Sequence, residues 1–230
     1  MIIALSLVLS VAGCKEQAPQ SAQPKPKPAP PAAEQITQTE PKTQPKVETP
    51  APKPVAPAAV ADQGPVVGSK VLIETSFGDI VIGLYEQDAP ITTKNFLGYV
   101  QSGFYNGTIF HRVISGFMIQ GGGFTQEFQK KPTRAPIINE TYNKVRNKRG
   151  TIAMARTNDM NSATCQFFIN HKDNKALDYD GPNGGYAVFG TVLSGMDVVD
   201  AIAAVQTGLK NRMRDVPVEN VVIESITVTK

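Results

Sequence analysis

The sequence is poor in the residues that build metal centres and disulfide scaffolds: two cysteines, Cys14 and Cys165, two histidines, His111 and His171, and no tryptophan. So few thiols and imidazoles exclude a disulfide-stapled fold and argue against a zinc site, and no metal or cofactor is expected. An excess of charge of one sign is also missing. The formal net charge is +3, from 23 Lys and Arg against 20 Asp and Glu, which excludes a strongly basic nucleic-acid binder. No hydrophobic run approaches the roughly 20 residues needed to cross a bilayer, which excludes a polytopic membrane protein. The third shortage is local. Residues 1–65 contain none of the 10 Phe and 6 Tyr and only 2 of the 19 glycines, yet 13 of the 18 prolines. Such a segment cannot build a core. Residues 66–230 hold every aromatic, and their length suits one domain of ordinary size.

What the N-terminal segment does contain is an apolar stretch, Ile2 to Val11, of the length of a signal-peptide core, running into Ala12 and Gly13 directly before Cys14. No Lys or Arg precedes it, a departure from most export signals. The run Val11-Ala12-Gly13-Cys14 resembles the lipobox of bacterial lipoproteins, in which the chain is cut before the cysteine and the thiol carries the lipid. Residues 1–13 are therefore expected to be a lipoprotein signal peptide and Cys14 a lipidated N-terminus on the membrane. From Lys15 to Pro65 short Pro, Lys, Ala, Gln and Thr units recur, which favours extended coil. Residues 14–65 are read as a tether with a reach of about 150 Å if fully polyproline-like. A ligand for a Pro-recognising domain and a cell-wall-threading segment are the sharper alternatives to a plain spacer. With Cys14 lipidated, Cys165 has no thiol partner and no His and acid partners in its run, so it reads as a packed small residue.

From Val66 onward the pattern is that of short strands. Lys70 to Glu86 reads as a hairpin turning at Ser76-Phe77-Gly78-Asp79. A helix is expected next, with Asp88 as N-cap, Pro90 in the first turn and Gly103 ending it; a second begins near Gly195 and buries Val198, Val199 and Ile202. Between and after them lie β-type runs at Thr108–Ile114, Phe117–Gly121, Thr151–Ala155, Gln166–Asn170, Ala187–Val192 and Val221–Val228. Gly121-Gly122-Gly123 reads as a bend, because no Lys-Ser/Thr follows to make a phosphate loop. Lys144 to Arg149, the densest basic run, reads as a solvated loop. Many short strands punctuated by Gly suggest a barrel, which leaves no exposed edge.

The run Phe110-His111-Arg112-Val113-Ile114-Ser115-Gly116-Phe117-Met118-Ile119-Gln120-Gly121-Gly122 resembles the signature of cyclophilin-type peptidyl-prolyl isomerases. Gly150 to Arg156, Gln166 to Ile169 and Tyr186 to Gly190 extend the likeness in order, over about Lys70 to the C-terminus. It is closest to the periplasmic bacterial branch. The resemblance implies a mainly β fold, a closed eight-stranded antiparallel β-barrel capped by two α-helices, with the groove on its outer face. It implies Arg112 as the catalytic residue, Phe117, Met118, Phe168 and Leu177 as the proline pocket, and Gln120 as a hydrogen-bonding grip on the peptide. Ala155 and the backbone near Arg156 would line the groove, Gln166 would steady the site, and Phe110 and His111 would support Arg112. Without that context, an isolated Arg is more often solvated, a Phe-Met or Phe-Phe pair more often core, and a lone His more often structural; His171 reads as a loop residue.

Two departures stand out. Ala176 takes the place of a pocket-edge Trp found in many eukaryotic members, and Tyr186 stands where they carry His, so the rim should be more open and cyclosporin binding weak. The expected substrates are Pro-containing unfolded or exported polypeptides, handled by a monomer in the cell envelope, facing the periplasm and expected at the outer membrane because Lys15 is not an inner-membrane retention Asp. The competing reading is a Pro-segment-binding chaperone or assembly module whose catalysis is incidental.

Overall fold

The computed structural model describes residues 64–181 and 184–229. The expected signal peptide, Cys14 and the tether up to residue 63 lie outside the described residues. The elements run β1 (Lys70–Thr75), β2 (Gly78–Leu84), α1 (Pro90–Gln101), β3 (Thr108–Ile114), β4 (Met118–Thr125), β5 (Thr151–Met154), β6 (Phe167–Asn170), β7 (Val188–Ser194), α2 (Met196–Ala203), β8 (Thr207–Lys210), β9 (Met213–Pro217) and β10 (Val222–Thr229), with short 3₁₀ turns at Thr141–Asn143 and Lys175–Leu177. Eight strands close into an antiparallel barrel in the order β1-β10-β3-β4-β6-β5-β7-β2. The barrel and its two helices are those the sequence implied.

Alternation along the strands divides the barrel into two faces. Val71, Ile73, Ile80, Ile82, Ile119, Ile152, Phe167, Ile169 and Ile226 point into one continuous core, to which α1 adds Phe96 and Tyr99 and α2 adds Val199 and Ile202. Full burial of each such side chain contributes roughly 1.5–3 kcal/mol. Val198, expected in that core, is only partly buried against it. The residues that alternate with them face the other way: Met118, Ala153, Phe168 and Val188 belong to a second apolar cluster outside the barrel, with Tyr85.

The β3–β4 register shifts between Thr108 and Phe110 and again between Phe110 and Arg112, and the second shift resets the alternation. Phe110 pairs with Gly121 and Arg112 with Gln120, so two residues of β3 advance against one of β4 and His111 is the bulge. Phe110 therefore stays in the core while Arg112, two residues on, emerges on the outer face. The glycine run expected to be a bend is instead part of β4. Gly122 adopts φ 81° there, and a Cβ on it would meet the Phe167 and Tyr105 rings at 2.8 Å, so only glycine fits.

Two further expectations are corrected. Asp88 does not cap α1: the N-cap is Ala89, which has no side chain to offer, and its role is taken by a residue some fifty positions away. The fully buried Glu140 accepts the Ile91 and Thr92 amides at 3.1 and 2.7 Å and the Thr92 hydroxyl at 2.7 Å. A carboxylate at a helix N-terminus satisfies orphan N–H groups and meets the positive end of the helix dipole. The second correction is the β8–β9 hairpin, which the sequence reading left out. Its strand β8 is exposed and its two-residue turn, Asn211-Arg212, has φ 51° and 64° without the glycine that usually announces such a turn. Glu140→Ala is expected to lower stability by about 2–4 kcal/mol in chemical denaturation, because it strands buried donors as well as removing a cap.

Candidate active site

One transverse row on the outer face carries three of the expected site residues, Arg112, Gln120 and Phe168. Arg112 on β3 stands opposite Gln120 on β4, Gln120 opposite Phe168 on β6, and Phe168 opposite Ala153 on β5. Around Phe168 and Met118, 4% and 2% exposed, gather Phe117, Ala155, Leu177 and Tyr186, all half-buried. The result is an apolar cluster on the outer face, centred on Phe168 and Met118. Gln120 donates through Nε2 to the Gln166 Oε1 at 2.9 Å, which fixes both amides beside Arg112. Every residue expected in the substrate site lies on this face. Phe110 lies beneath it, in the core against Phe167.

Tyr186 sits at the edge of this cluster. Its ring meets Phe168 edge-on at 5.6 Å, and the Arg156 guanidinium lies over it, 4.6 Å from the centroid. Arg156 donates from Nε and Nη2 to the Gly185 carbonyl at 3.1 and 3.0 Å and from Nη1 to the Thr157 carbonyl at 2.9 Å. The rim opposite Arg112 is thus a cation stacked on an aromatic, with Ala176 exposed nearby in sequence.

Beneath the walls lies a polar network that sequence reasoning missed. The Asn147 side chain donates to the Leu177 carbonyl at 2.9 Å, and its amide to Asp178 at 2.6 Å. Asn170 donates to Asn147 Oδ1 and Thr151 Oγ1, and Asn174 to Asn170 Oδ1 and to the Phe117 carbonyl at 2.8 Å. Three buried asparagines therefore tie the Leu177 wall to the Phe117 wall. Their identity carries no signal in sequence, where Asn reads as a turn former. His171 does more than occupy a loop: its Nδ1 accepts the Gly116 amide at 2.9 Å, and its Nε2 meets Asp200 of α2 at 3.0 Å. Asp200 also holds Arg149 at 2.8 Å, a pairing that lowers the Asp200 pKa, so the basic run is only partly solvated and has Asn147 buried at its centre. Cys165 is 1% exposed and burial pushes its thiol pKa up, which fits a packed residue.

No group of three or more metal-ligating side chains occurs among the described residues. The face sets a guanidinium and two linked side-chain amides beside an apolar cluster. These features define a closed-barrel protein with a mixed apolar and polar cluster on its outer wall. The family model for cyclophilin type peptidyl-prolyl cis-trans isomerases matches residues 70–228, and the chain belongs to that family. It is 60% identical over 163 residues to the peptidyl-prolyl cis-trans isomerase cyp18 of Streptomyces antibioticus, covering 70% of this chain and 98% of that protein. Over 163 residues it is 54% identical to peptidyl-prolyl cis-trans isomerase B of Escherichia coli, covering 70% and 99%. A crystal structure of a Cryptosporidium parvum cyclophilin type isomerase, obtained in the presence of the dipeptide Ala-Pro, superposes with a TM-score of 0.57 at 27% identity, covering 70% of this chain and 99% of that one.

His111, in the bulge beside Arg112, is 5% exposed, packs 4.6 Å from the Phe124 ring and has no hydrogen-bond partner for Nδ1 among the described residues. Burial lowers its pKa to about 4, and the neighbouring Arg112 charge acts in the same direction. The unfolded chain takes up this proton near 6.5 and the folded protein only near 4, so stability falls as pH drops through that window. The loss attributable to His111 should reach about 3 kcal/mol. Denaturation curves across pH 7 to 4 are expected to show it, and His111→Gln to flatten that part of the profile.

Proposed function

We propose that this isomerase assists the folding of exported proteins by stabilising the twisted X-Pro amide at Arg112. The uncatalysed barrier is roughly 20 kcal/mol and arises from amide resonance, so no bond has to break. A catalyst needs a pocket for the ring, a grip on the flanking peptide and a donor for the twisted state, in which the nitrogen regains its lone pair. Phe117, Met118, Phe168 and Leu177 enclose the proline ring. Gln120, steadied by Gln166, holds the peptide, and Ala155 and Tyr186 border the residues before the proline. Arg112 stays charged and presents fixed donors, which favours a state whose charge appears only on twisting. The observation that carries this reading is the cross-strand row that sets Arg112 and Gln120 beside the Phe168 pocket.

The domain works at the cell envelope, held by lipid on Cys14 and facing the periplasm, at the outer membrane of a double-membraned cell. The lipobox-like run before Cys14 and the Pro-rich stretch after it support this. Cyclosporin binds weakly, since the rim position that Ala176 fills offers neither indole area nor an indole N–H. Two measurements test these statements. Arg112→Ala should reduce the rate of cis-to-trans conversion of an X-Pro test peptide by about 10²-fold, by analogy with loss of one preorganised donor, while fold and peptide affinity persist. Undiminished turnover would sink the role given to Arg112, and a wild-type protein that binds the peptide without accelerating it would make this a Pro-segment-binding module. Labelled fatty acid should be incorporated in cells by the wild-type chain and not by Cys14→Ser.

A further inference from the structure

The β8–β9 hairpin lies outside the barrel ladder, yet β9 packs against β3, the strand that carries Arg112. Val216 and Pro217 bury themselves there, and Asn220 ties the segment to the Gln126 carbonyl at 3.0 Å. From this hairpin Asp215 reaches the Arg112 guanidinium, with Oδ2 3.8 Å from Nε. It does so from a left-handed backbone conformation, φ 60°, in the middle of a strand. Such a conformation is disfavoured for a residue with a Cβ and persists where the surroundings hold it in place. No turn requires it at this position, because the hairpin reverses at Asn211-Arg212. Among the described residues Asp215 is the one ion-pair partner of Arg112.

We propose that Asp215 is a positioning residue for the isomerisation, which orients Arg112 from its Nε side and leaves both Nη groups turned to the substrate. This rests on the catalytic role given to Arg112 above. The physical reason is entropic: a long side chain that is 42% exposed samples many rotamers, and a carboxylate anchored on a packed hairpin restricts it before the substrate arrives. The pair is half-exposed and screened by solvent, so its effect is modest, about two- to fivefold in turnover.

The test is a double-mutant cycle on the purified protein with Arg112→Ala, Asp215→Asn and the pair together, supplemented by Asp215→Gly. Asn and Gly both tolerate the left-handed backbone, so a residue kept only for its conformation would show wild-type turnover in both. The proposal expects Asp215→Asn and Asp215→Gly to lose about two- to fivefold in kcat with unchanged affinity for the Pro-containing test peptide. It expects no additional loss when Asp215→Asn is placed on Arg112→Ala. Equal or higher turnover in Asp215→Asn, or a loss that persists without Arg112, overturns it. If Arg112→Ala itself keeps full turnover, the role of Arg112 falls and the positioning role falls with it; if only the Asp215 variants are silent, the role of Arg112 stands and this inference alone fails.

Discussion

Closure of the sheet is the constraint on which the rest of the structure depends. A closed barrel has no edge strands, so each residue on its wall faces either a filled interior or the outside. The interior is claimed by branched and aromatic side chains from all eight strands, packed with α1 and α2. Whatever alternates with them on β3, β4, β6 and β5 is delivered to one outer surface, in register and on rigid backbone. A row such as Arg112, Gln120 and Phe168 needs no loop to hold it. Side chains on neighbouring strands lie roughly 5 Å apart by construction, which matches the scale of one proline and its peptide bonds.

That rigidity suits the chemistry. Twisting an amide needs no proton transfer and no nucleophile, so the protein contributes mainly a fixed field and a fixed shape. The buried Asn147, Asn170 and Asn174 network and the His171 contact with the Gly116 amide tie the Leu177 and Phe117 segments to the barrel. Arg112 is the exposed exception in an otherwise fixed constellation, which is why a carboxylate at its Nε matters for how much of its freedom is lost in advance.

The rim is built differently from the floor. Tyr186 with Arg156 stacked on it builds a wall that is apolar toward Phe168 and cationic toward solvent. Ala176 leaves open a position that a larger side chain could cover. The floor and the rim are therefore under different physical control: the floor by strand register, the rim by a loop segment held through backbone carbonyls of Leu177 and Gly185.

Strands and helices were legible because their signals are local. The period-two runs gave Thr108–Ile114 with its observed bounds, and Pro90 and Gly103 bracketed α1. The dense run from Phe110 to Gly122 carried the likeness to the family to which the chain belongs. What could not be read is what depends on partners far along the chain: the Glu140 cap for α1, the asparagine network, the Asn211-Arg212 turn and the reach of Asp215 to Arg112. The bulge at His111 is the sharpest case. Strict alternation would put Phe110 and Arg112 on the same face, and only pairing with β4 inserts the extra residue that sends one inward and the other to the groove. Sequence by itself determined which side chains are present and their local periodicity, because those follow from covalent order and the backbone's two soft dihedrals. The tertiary structure decided which face each one meets, because strand register is set between segments and not within them.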